Sequence, residues 1–378
     1  MTRRWIVNGR FLAQPVTGVQ RYAHEIVTAL DRLMASGQLL TRDLEIEVLA
    51  PPNADHVLAL KTIPIRRVGY LTGHAWEQAA LPTAVASGGL LSFCNTGPIT
   101  VGRQIVCIHD TNVFSWPQSY SLAFRALYRQ LLPRLGRSAA NVATVSHYSA
   151  GELVTHGVAT ADRILVAPNG HDHAARWRPA HSAATRAIAG RDLIVMIGSP
   201  APHKNMRLML DMAERLKELG LRIAIVGMSN PRVFSETAMR QPVDNVLWLG
   251  RLSDAEMAAL LKDSLCLAFP SFVEGFGLPP LEAMALGCPV VVSDRASLPE
   301  ICADAALYAA PDDADAWLDQ FRRLLMFPAL RLDLAARGRA RAGHFRWEMS
   351  AEAYLLAMAR ADGHFIEEEQ PRQRAEVS

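Results

Sequence analysis

The segment PSFVEGFGLPPLEAMALGCPVVVSD, residues 270–294, sets two carboxylates, Glu274 and Glu282, around a Gly-Phe-Gly turn that runs into a helix. Two acids in that setting can each accept hydrogen bonds from hydroxyl groups with charge-assisted strength. Pro279 and Pro280 suit the first helical turn, where a missing N–H costs little. The free backbone N–H groups of Phe276, Gly277 and Leu278 then face outward at the positive end of the helix, an arrangement that suits hydroxyl or phosphate oxygens. Gly275 and Gly277 allow close approach and unusual dihedrals. This chemistry is that of a cradle for a polyol or a sugar phosphate. The plain alternative leaves Glu282 as a complement to the helix dipole, about 0.3–1 kcal/mol, and Glu274 as a solvated loop acid.

A second candidate is GSPAPHKN, residues 198–205, which again follows a strand and precedes a helix. Lys204 adds its charge to the positive helix end, so an anion between the two would relieve both, and a diphosphate is the obvious one. A solvated lysine is the plain alternative. Neither a GxGxxG nor a Walker fingerprint is present. Near the start, Thr17 and Gly18 precede the helical pattern RYAHEI, and Gly18 would let the backbone approach a ligand unless it is an ordinary loop glycine. His109 and Asp110 end the apolar run VCIHD, where a histidine can bond a sugar hydroxyl, or a phosphate if protonated, or be a satisfied core group. Ser146 and Asn169 end two further apolar runs.

These residues share a setting. Short apolar runs (WIVNGRF, LEIEVLA, GLLSFCN, QIVCIHD, NVATVS, RILVAPNG, then DLIVMIG, RIAIVG, NVLWLG, CLAFPS, PVVVSD, ALYAAP) alternate with helical patterns. Runs that are apolar nearly throughout fit strands covered on both faces of a parallel sheet. One helix is expected from Asn205 with Leu208, Met212, Leu216 and Leu219 on one face, and Ser253 with Glu256 resembles a capping box. The rhythm breaks at residues 171–189, HDHAARWRPAHSAATRAIA. The expectation is an α/β chain of two Rossmann-like domains, residues 1–170 and 171–349, with parallel sheets facing a central cleft. A helix at about 350–370 returns to the first domain. Ligands of such sheets sit at the carboxyl ends of strands, where all the candidates fall.

Composition narrows the rest. A chain of 378 residues, half of them hydrophobic, fits two domains better than one core. A net charge of +2 gives no field to recruit nucleic acid. No apolar run is long enough to span a bilayer, and MTRRWIVNGRFLA has no signal-peptide pattern. Five scattered cysteines without a C-x-x-C pair indicate neither a zinc site nor a disulfide framework, which fits a cytoplasmic protein. The polar tail EEEQPRQRAEVS is expected to fray.

The E-x7-E segment resembles the C-terminal signature of retaining glycosyltransferases of family 4, which have the GT-B fold. TGVQRYAHEIVTAL, CIHDTNVFSWPQSY, TVSHYSAGEL, VAPNG, GSPAPHKN and LGRLSDAEMAALL follow the same order over nearly the whole chain. The TGVQRYAHEI and IHD blocks most resemble the mannosyltransferase-like branch that builds cell-surface polysaccharide. The resemblance implies donor-sugar contacts at Glu274 and the Phe276, Gly277 and Leu278 backbone, and a ribose contact at Glu282. It implies that Lys204 and Gly18 meet the diphosphate and that His109 lies near the transferred sugar, making His109, Glu274 and Lys204 the catalytic set. Family members commonly carry an arginine before the lysine; here the position is His203, which is mostly uncharged at neutral pH. His203 and Arg251 are secondary candidates.

The implied reaction transfers a hexose, mannose from GDP-mannose first and a UDP-sugar second, to a glycan or polyprenyl-diphosphate-linked acceptor. The anomeric configuration is retained. No cofactor or metal is expected, because no D-x-D-like triplet sits at a strand end (Asp312-Asp313-Ala314-Asp315 lies at a helix start) and Lys204 with the helix end can stabilise the leaving group. The alternatives are a GT-B-like nucleotide-sugar epimerase or phosphorylase, and a non-catalytic nucleotide-sugar-binding protein. Arg125, Arg129, Arg134 and Arg137 lie among apolar residues in the stretch 119–137, either a face that docks on anionic lipid at the inner plasma membrane or a solvated basic face.

Overall fold

The computed structural model describes residues 2–85, 88–199, 201–227 and 244–364. Its framework is two parallel sheets. The first has seven strands: β1 (Arg3–Asn8), β2 (Leu44–Ala50), β3 (Ile65–Arg67), β4 (Gly89–Ser92), β5 (Gln104–Cys107), β6 (Asn141–Thr144) and β7 (Ile164–Val166), in the order β3-β2-β1-β4-β5-β6-β7. The second has six: β8 (Leu193–Ile197), β9 (Arg222–Val226), β10 (Val246–Gly250), β11 (Cys266–Phe269), β12 (Val290–Ser293) and β13 (Leu307–Ala309), in the order β10-β9-β8-β11-β12-β13. Each order reverses direction once, between β1 and β4 and between β8 and β11. A crevice opens at such a switch point, beyond the carboxyl ends of the flanking strands.

The strand sequences explain their place. Ile6, Val7, Leu90, Ile105, Val106, Val195 and Val290–Val292 are fully buried, as residues of a doubly covered sheet must be. Several expected strands are shorter than their apolar runs. WIVNGRF ends its strand at Asn8, whose side chain accepts from Arg10 N–H and starts a 3-10 turn at Gly9–Ala13. The three-residue edge strand β3 is exposed throughout and has no apolar run to mark it.

The expected helix from Asn205 is interrupted. Met206–Asp211 and Ala213–Glu218 are separate segments meeting at Met212, and the buried face is Met206, Met209, Met212 and Leu216, with Leu208 and Leu219 only partly covered. The Ser253–Glu256 capping box forms. Residues 171–189 hold two short helices, Asp172–Ala175 and Ala183–Ile188. The last described helix runs Trp347–Ala361 rather than about 350–370, and it packs against Gly18–Ser36 through the Tyr354–Tyr22 hydroxyl contact at 3.0 Å. The polar tail lies outside the described residues.

The chain crosses itself where that helix returns. A Cβ on Gly170 would stand 2.2 Å from the backbone nitrogen of Trp347. The same nitrogen donates to Asp172 Oδ1 at 3.0 Å, so the crossing backbone has no freedom to retreat. Gly170→Ala should therefore lower stability by about 3 kcal/mol, read as a fall in the urea midpoint, whereas Gly151→Ala, with open space around it inside the helix His147–Thr155, should raise the midpoint slightly.

Candidate active site

Lys204 follows β8 and Glu274 follows β11, so the two strands beside the second switch point each deliver one charged group. They meet: Lys204 Nζ lies 2.7 and 2.8 Å from the two oxygens of Glu274. The anion expected between Lys204 and its helix is thus, in this structure, the Glu274 carboxylate. Lys204 also lies over the Phe269 ring at 5.7 Å. Asn205, the next residue, takes a left-handed conformation, and its amide donates to the carbonyls of Pro270 and Pro311 at 3.1 and 2.6 Å, which holds the lysine loop against the glutamate loop.

The turn that carries Glu274 touches the first domain backbone to backbone. A Cβ on Gly275 would fall 2.3 Å from the carbonyl oxygen of His109. Ser146 Oγ and Ser149 Oγ donate to the Gly275 carbonyl at 2.6 and 2.9 Å, and Ser149 Oγ also lies 3.0 Å from the His109 carbonyl. Ser297 Oγ ties the other side, lying 3.0 Å from Glu274 O and 2.8 Å from Phe276 O. Gly277 has φ +107° and caps the helix Leu278–Ala285. Among the described residues, the N–H groups of Phe276, Gly277 and Leu278 have no partner.

His109 is buried and T-shaped against Tyr22, with ring centroids 4.8 Å apart. Its Nε2 lies 2.8 Å from the Phe93 carbonyl, an obligate acceptor, so Nε2 carries the proton and Nδ1 is the acceptor nitrogen of the neutral ring. Burial works against its charged form, but the Cys107 sulfur and the Phe93 carbonyl outweigh this, and the net shift is upward. The next residue, Asp110, accepts from Asn112 N–H at 2.9 Å. Burial pushes its carboxyl above the ordinary range and Glu274 adds to the shift, against the opposing Asn112 N–H and Lys204.

Glu282 lies one helical turn inside Leu278–Ala285, and two groups the sequence reading missed reach it. His173 Nε2 lies 2.8 Å from its Oε1, and Arg21 Nε 4.0 Å from the same oxygen. Arg21 also pairs with Asp254 of the second domain at 2.9 Å and lies over the Trp177 ring. No local motif marks His173, and although Arg21 falls inside the TGVQRYAHEI block, nothing local shows that it reaches Glu282, because both act across long sequence separations. Gly18 opens the helix Gly18–Ser36, and a Cβ there would meet nothing within 4 Å, so its surroundings give no packing reason for a glycine.

His203 is buried against the first domain, with Nδ1 2.9 Å from Ser119 Oγ. Burial and the neighbouring Lys204 lower its pKa, so it is neutral at pH 7. Arg251 is exposed after the edge strand β10 and has no partner among the described residues, so the structure does not join it to the Lys204–Glu274 pair. Asn169 is buried with its Oδ1 unpaired.

A second polar cluster spans the switch point of the first sheet. Glu77 Oε1, fully buried, accepts from Asn8 Nδ2, Arg10 Nε and Thr96 Oγ1 at 2.8, 3.0 and 3.1 Å. Its Oε2 faces His74 Nδ1 at 3.2 Å, and the half-exposed His74 ring lies 6.4 Å from Tyr128. Glu77 sits in a π-helical turn, Trp76–Ala80, an irregularity frequent at functional sites. The sequence carries no signal for this cluster beyond a lone acid in a helical run.

Two outcomes follow from these contacts. Removing the cation in Lys204→Met leaves Glu274, with only 10% of its side chain exposed, unpaired; stability should fall by about 2 kcal/mol, less than the ~3–5 kcal/mol of a fully buried pair because Lys204 is 29% exposed. Asp110→Asn should act in the other direction. A carboxyl with a raised folded pKa costs nothing below its unfolded value of 3.8 and a growing amount as pH rises toward the folded value. The asparagine should therefore raise the melting temperature at pH 7 and lose that advantage near pH 3.5, as read by a pH series of thermal melts.

Comparison with known proteins fits this geometry. Residues 178–341 match the family described as glycosyl transferases group 1. The O-antigen chain mannosyltransferase B of Escherichia coli is 31% identical over 263 residues, covering 66% of this chain and 68% of that protein. The O-antigen chain mannosyltransferase RfbU of Salmonella typhimurium is 24% identical over 339 residues, 85% of this chain and 91% of that one. Among solved structures, the sucrose-phosphate synthase of Thermosynechococcus elongatus superposes with a TM-score of 0.70 at 17% identity over 97% of this chain and all of that one. WaaG, a glycosyltransferase involved in lipopolysaccharide biosynthesis, superposes with a TM-score of 0.66 at 17% identity, over 95% and 100% of the two chains. Paired parallel sheets, an E-x7-E turn at the second switch point and these relatives together place the chain in the glycosyl transferases group 1 family, as a GT-B glycosyltransferase of the mannosyltransferase-like branch.

Proposed function

We propose that the protein transfers mannose from GDP-mannose, with retention and without a bound metal, to a glycan or polyprenyl-diphosphate-linked acceptor during cell-surface polysaccharide synthesis. The observation that carries this reading is the convergence of Lys204 and Glu274 beside three unpartnered backbone N–H groups at the start of Leu278–Ala285. One cation and a row of N–H groups suit a diphosphate; the flanking carboxylates suit hydroxyls. The O-antigen mannosyltransferase relatives support mannose as the sugar.

In this reading Glu274 and the Phe276–Leu278 backbone hold the sugar hydroxyls, Glu282 holds the ribose, and Lys204 faces the diphosphate. Gly18 lets the first domain approach that diphosphate without a side chain between. The bond from the anomeric carbon to the diphosphate oxygen breaks as the acceptor hydroxyl adds on the same face. The hydroxyl proton leaves on the departing diphosphate. Lys204 and the helix end stabilise the negative charge that develops there, which makes a metal unnecessary. With Nε2 committed to Phe93, His109 has Nδ1 left to accept from a sugar hydroxyl. The His74–Glu77 pair, tied to the ends of β1 and β4 through Asn8 and Thr96, and the neighbouring Tyr128 are proposed to meet the acceptor.

Leu122–Ser138 supports contact with the membrane that would carry a lipid-linked acceptor. Only Leu132, Leu135 and Gly136 of this helix are buried, whereas Leu122 and Leu127 are 78% and 51% exposed among Arg125, Arg129, Arg134 and Arg137. Among the described residues no helix is long and apolar enough to cross a membrane, so this reading is of a peripheral contact at the cytoplasmic face.

The test is calorimetry with GDP-mannose and UDP-glucose in EDTA, followed by transfer assays. GDP-mannose should bind and UDP-glucose should not; binding that appears only after magnesium is restored would overturn the metal-free reading, and preference for the uridine donor would overturn the choice of base. Gly18→Ala should keep the melting temperature while weakening donor binding about tenfold or more, because only a ligand occupies the space its methyl would enter. In flotation assays, the protein should rise with anionic vesicles and stay down with neutral ones; a failure to float with either removes the membrane contact.

A further inference from the structure

Glu282 presents its two oxygens unequally. Oε1 accepts from His173 Nε2 at 2.8 Å, with Arg21 Nε at 4.0 Å, while Oε2 has no partner among the described residues. The Glu282 side chain keeps 14% of its surface exposed. One oxygen is held and the other is offered.

What holds it is unusually well determined. His173 is 1% exposed. The indole Nε1 of Trp347 lies 3.0 Å from its Nδ1, and an indole nitrogen can only donate. Nδ1 must therefore be the bare nitrogen, which puts the proton on Nε2, facing Glu282. Trp347 is itself fixed. It is fully buried, its backbone nitrogen donates to Asp172 Oδ1, Gly170 packs against it, and Tyr22 meets its ring at 5.6 Å. The relay Trp347–His173–Glu282 thus sets the tautomer, the ring orientation and the carboxylate rotamer from residues 174 and 109 positions apart in sequence.

We infer that His173 is a positioning residue whose Nε2–H, fixed by Trp347, orients Glu282 so that its free oxygen meets the ribose hydroxyls of the bound nucleoside diphosphate. The inference rests on the proposed role of Glu282. It adds that a fold-wide anchor, the first residue of the returning helix, governs nucleotide affinity through one neutral imidazole. A neutral donor leaves the carboxylate its full charge, so its acceptor strength toward a hydroxyl is undiminished, which a lysine in the same place would reduce.

The experiment is calorimetric binding of GDP and of 2′,3′-dideoxy-GDP (UDP and its dideoxy form if uridine is the base that binds) to wild type, His173→Met, His173→Gln, Trp347→Phe and Glu282→Gln. His173→Met should weaken the ribonucleotide about tenfold, the size of one lost hydrogen bond to a charged group, and leave the dideoxy nucleotide within twofold. His173→Gln, which can place an N–H where Nε2 stands, should recover most of the loss. Trp347→Phe, which keeps the aromatic packing and removes the donor, should fall between them and carries the comparison if the methionine variant does not fold. Equal weakening of both nucleotides in His173→Met or Trp347→Phe, or no weakening, overturns the inference and leaves His173 a packing residue. If Glu282→Gln fails to distinguish the two nucleotides, the ribose role of Glu282 falls and this inference with it. If Glu282→Gln distinguishes them and the His173 variants do not, only the inference falls.

Discussion

The contact on which the site depends is the approach of Gly275 to the His109 carbonyl, where a Cβ would stand 2.3 Å from main-chain oxygen. Two sheets, each with a crevice at its switch point, make one site only if the carboxyl ends of their strands face each other at short range. Gly275 supplies that range. The two serine hydroxyls on its carbonyl then set the orientation, since both come from Ser146 and Ser149 at the start of the helix His147–Thr155. Glu300 of the second domain accepts from the N–H groups of His147 and Tyr148 at 2.8 and 2.9 Å, capping the same helix from across the cleft. Two N–H groups of that helix start are thus satisfied by the opposite domain and a third, Ser149 N–H, by Ser146 Oγ of its own, so separating the domains would expose the first two to water rather than bury them unpaired. Contacts of that kind exchange readily for water, so they can define a joint without locking it.

Elsewhere the seam has polar contacts as well. Arg21–Asp254 and His203–Ser119 join the domains through hydrogen-bonding groups, and Trp116 stacks on Phe272 at 5.0 Å. Apolar continuity is instead carried by the returning helix Trp347–Ala361, whose Tyr354, Leu355 and Met358 are buried in the core cluster that includes Tyr22, Ile26 and Leu30. The architecture separates two kinds of contact: a hydrophobic strap, the returning helix, holds the halves together, and a polar seam joins the loops that carry Lys204 and Glu274 to the first domain.

The sequence showed what local pattern can show. Apolar runs located twelve of the thirteen strands among the described residues, because a strand covered on both faces must be apolar nearly throughout. The one it missed, β3, is exposed at an edge, where that requirement lapses. Glu274, Lys204 and His109 were legible because each follows a strand, and the topology of an open α/β sheet gathers strand ends. The Lys204–Glu274 ion pair was not, since strand order, not sequence order, makes β8 and β11 neighbours. His173 looked like part of a linker, and only the return of Trp347 gives it a role. Glu77 sat unmarked in a helical run, its partners Asn8, Arg10 and Thr96 arriving from two other strand ends. Signals that reside in one segment were readable; those created when three segments meet were not.

The two carboxylates of the E-x7-E turn end up in opposite electrostatic conditions, and this bears on how one pair of like residues can do two jobs. Glu274 is gripped by a cation at both oxygens, so the pair is nearly neutral and an anion can settle beside it without strong repulsion. Glu282 is held mainly by a neutral imidazole, with Arg21 Nε at 4.0 Å and that guanidinium shared with Asp254, so it keeps most of its negative charge and its appetite for hydroxyl protons. Under the proposed roles, the carboxylate nearer the diphosphate is the one whose charge is cancelled, and the one facing the ribose is the one whose charge is kept. Exchanging the two supports would place an uncancelled carboxylate against a diphosphate in a site shielded from water, where repulsion between like charges is strongest. Identity of residue type at the two positions therefore says little about function; what each side chain leans on decides which end of the ligand it can hold.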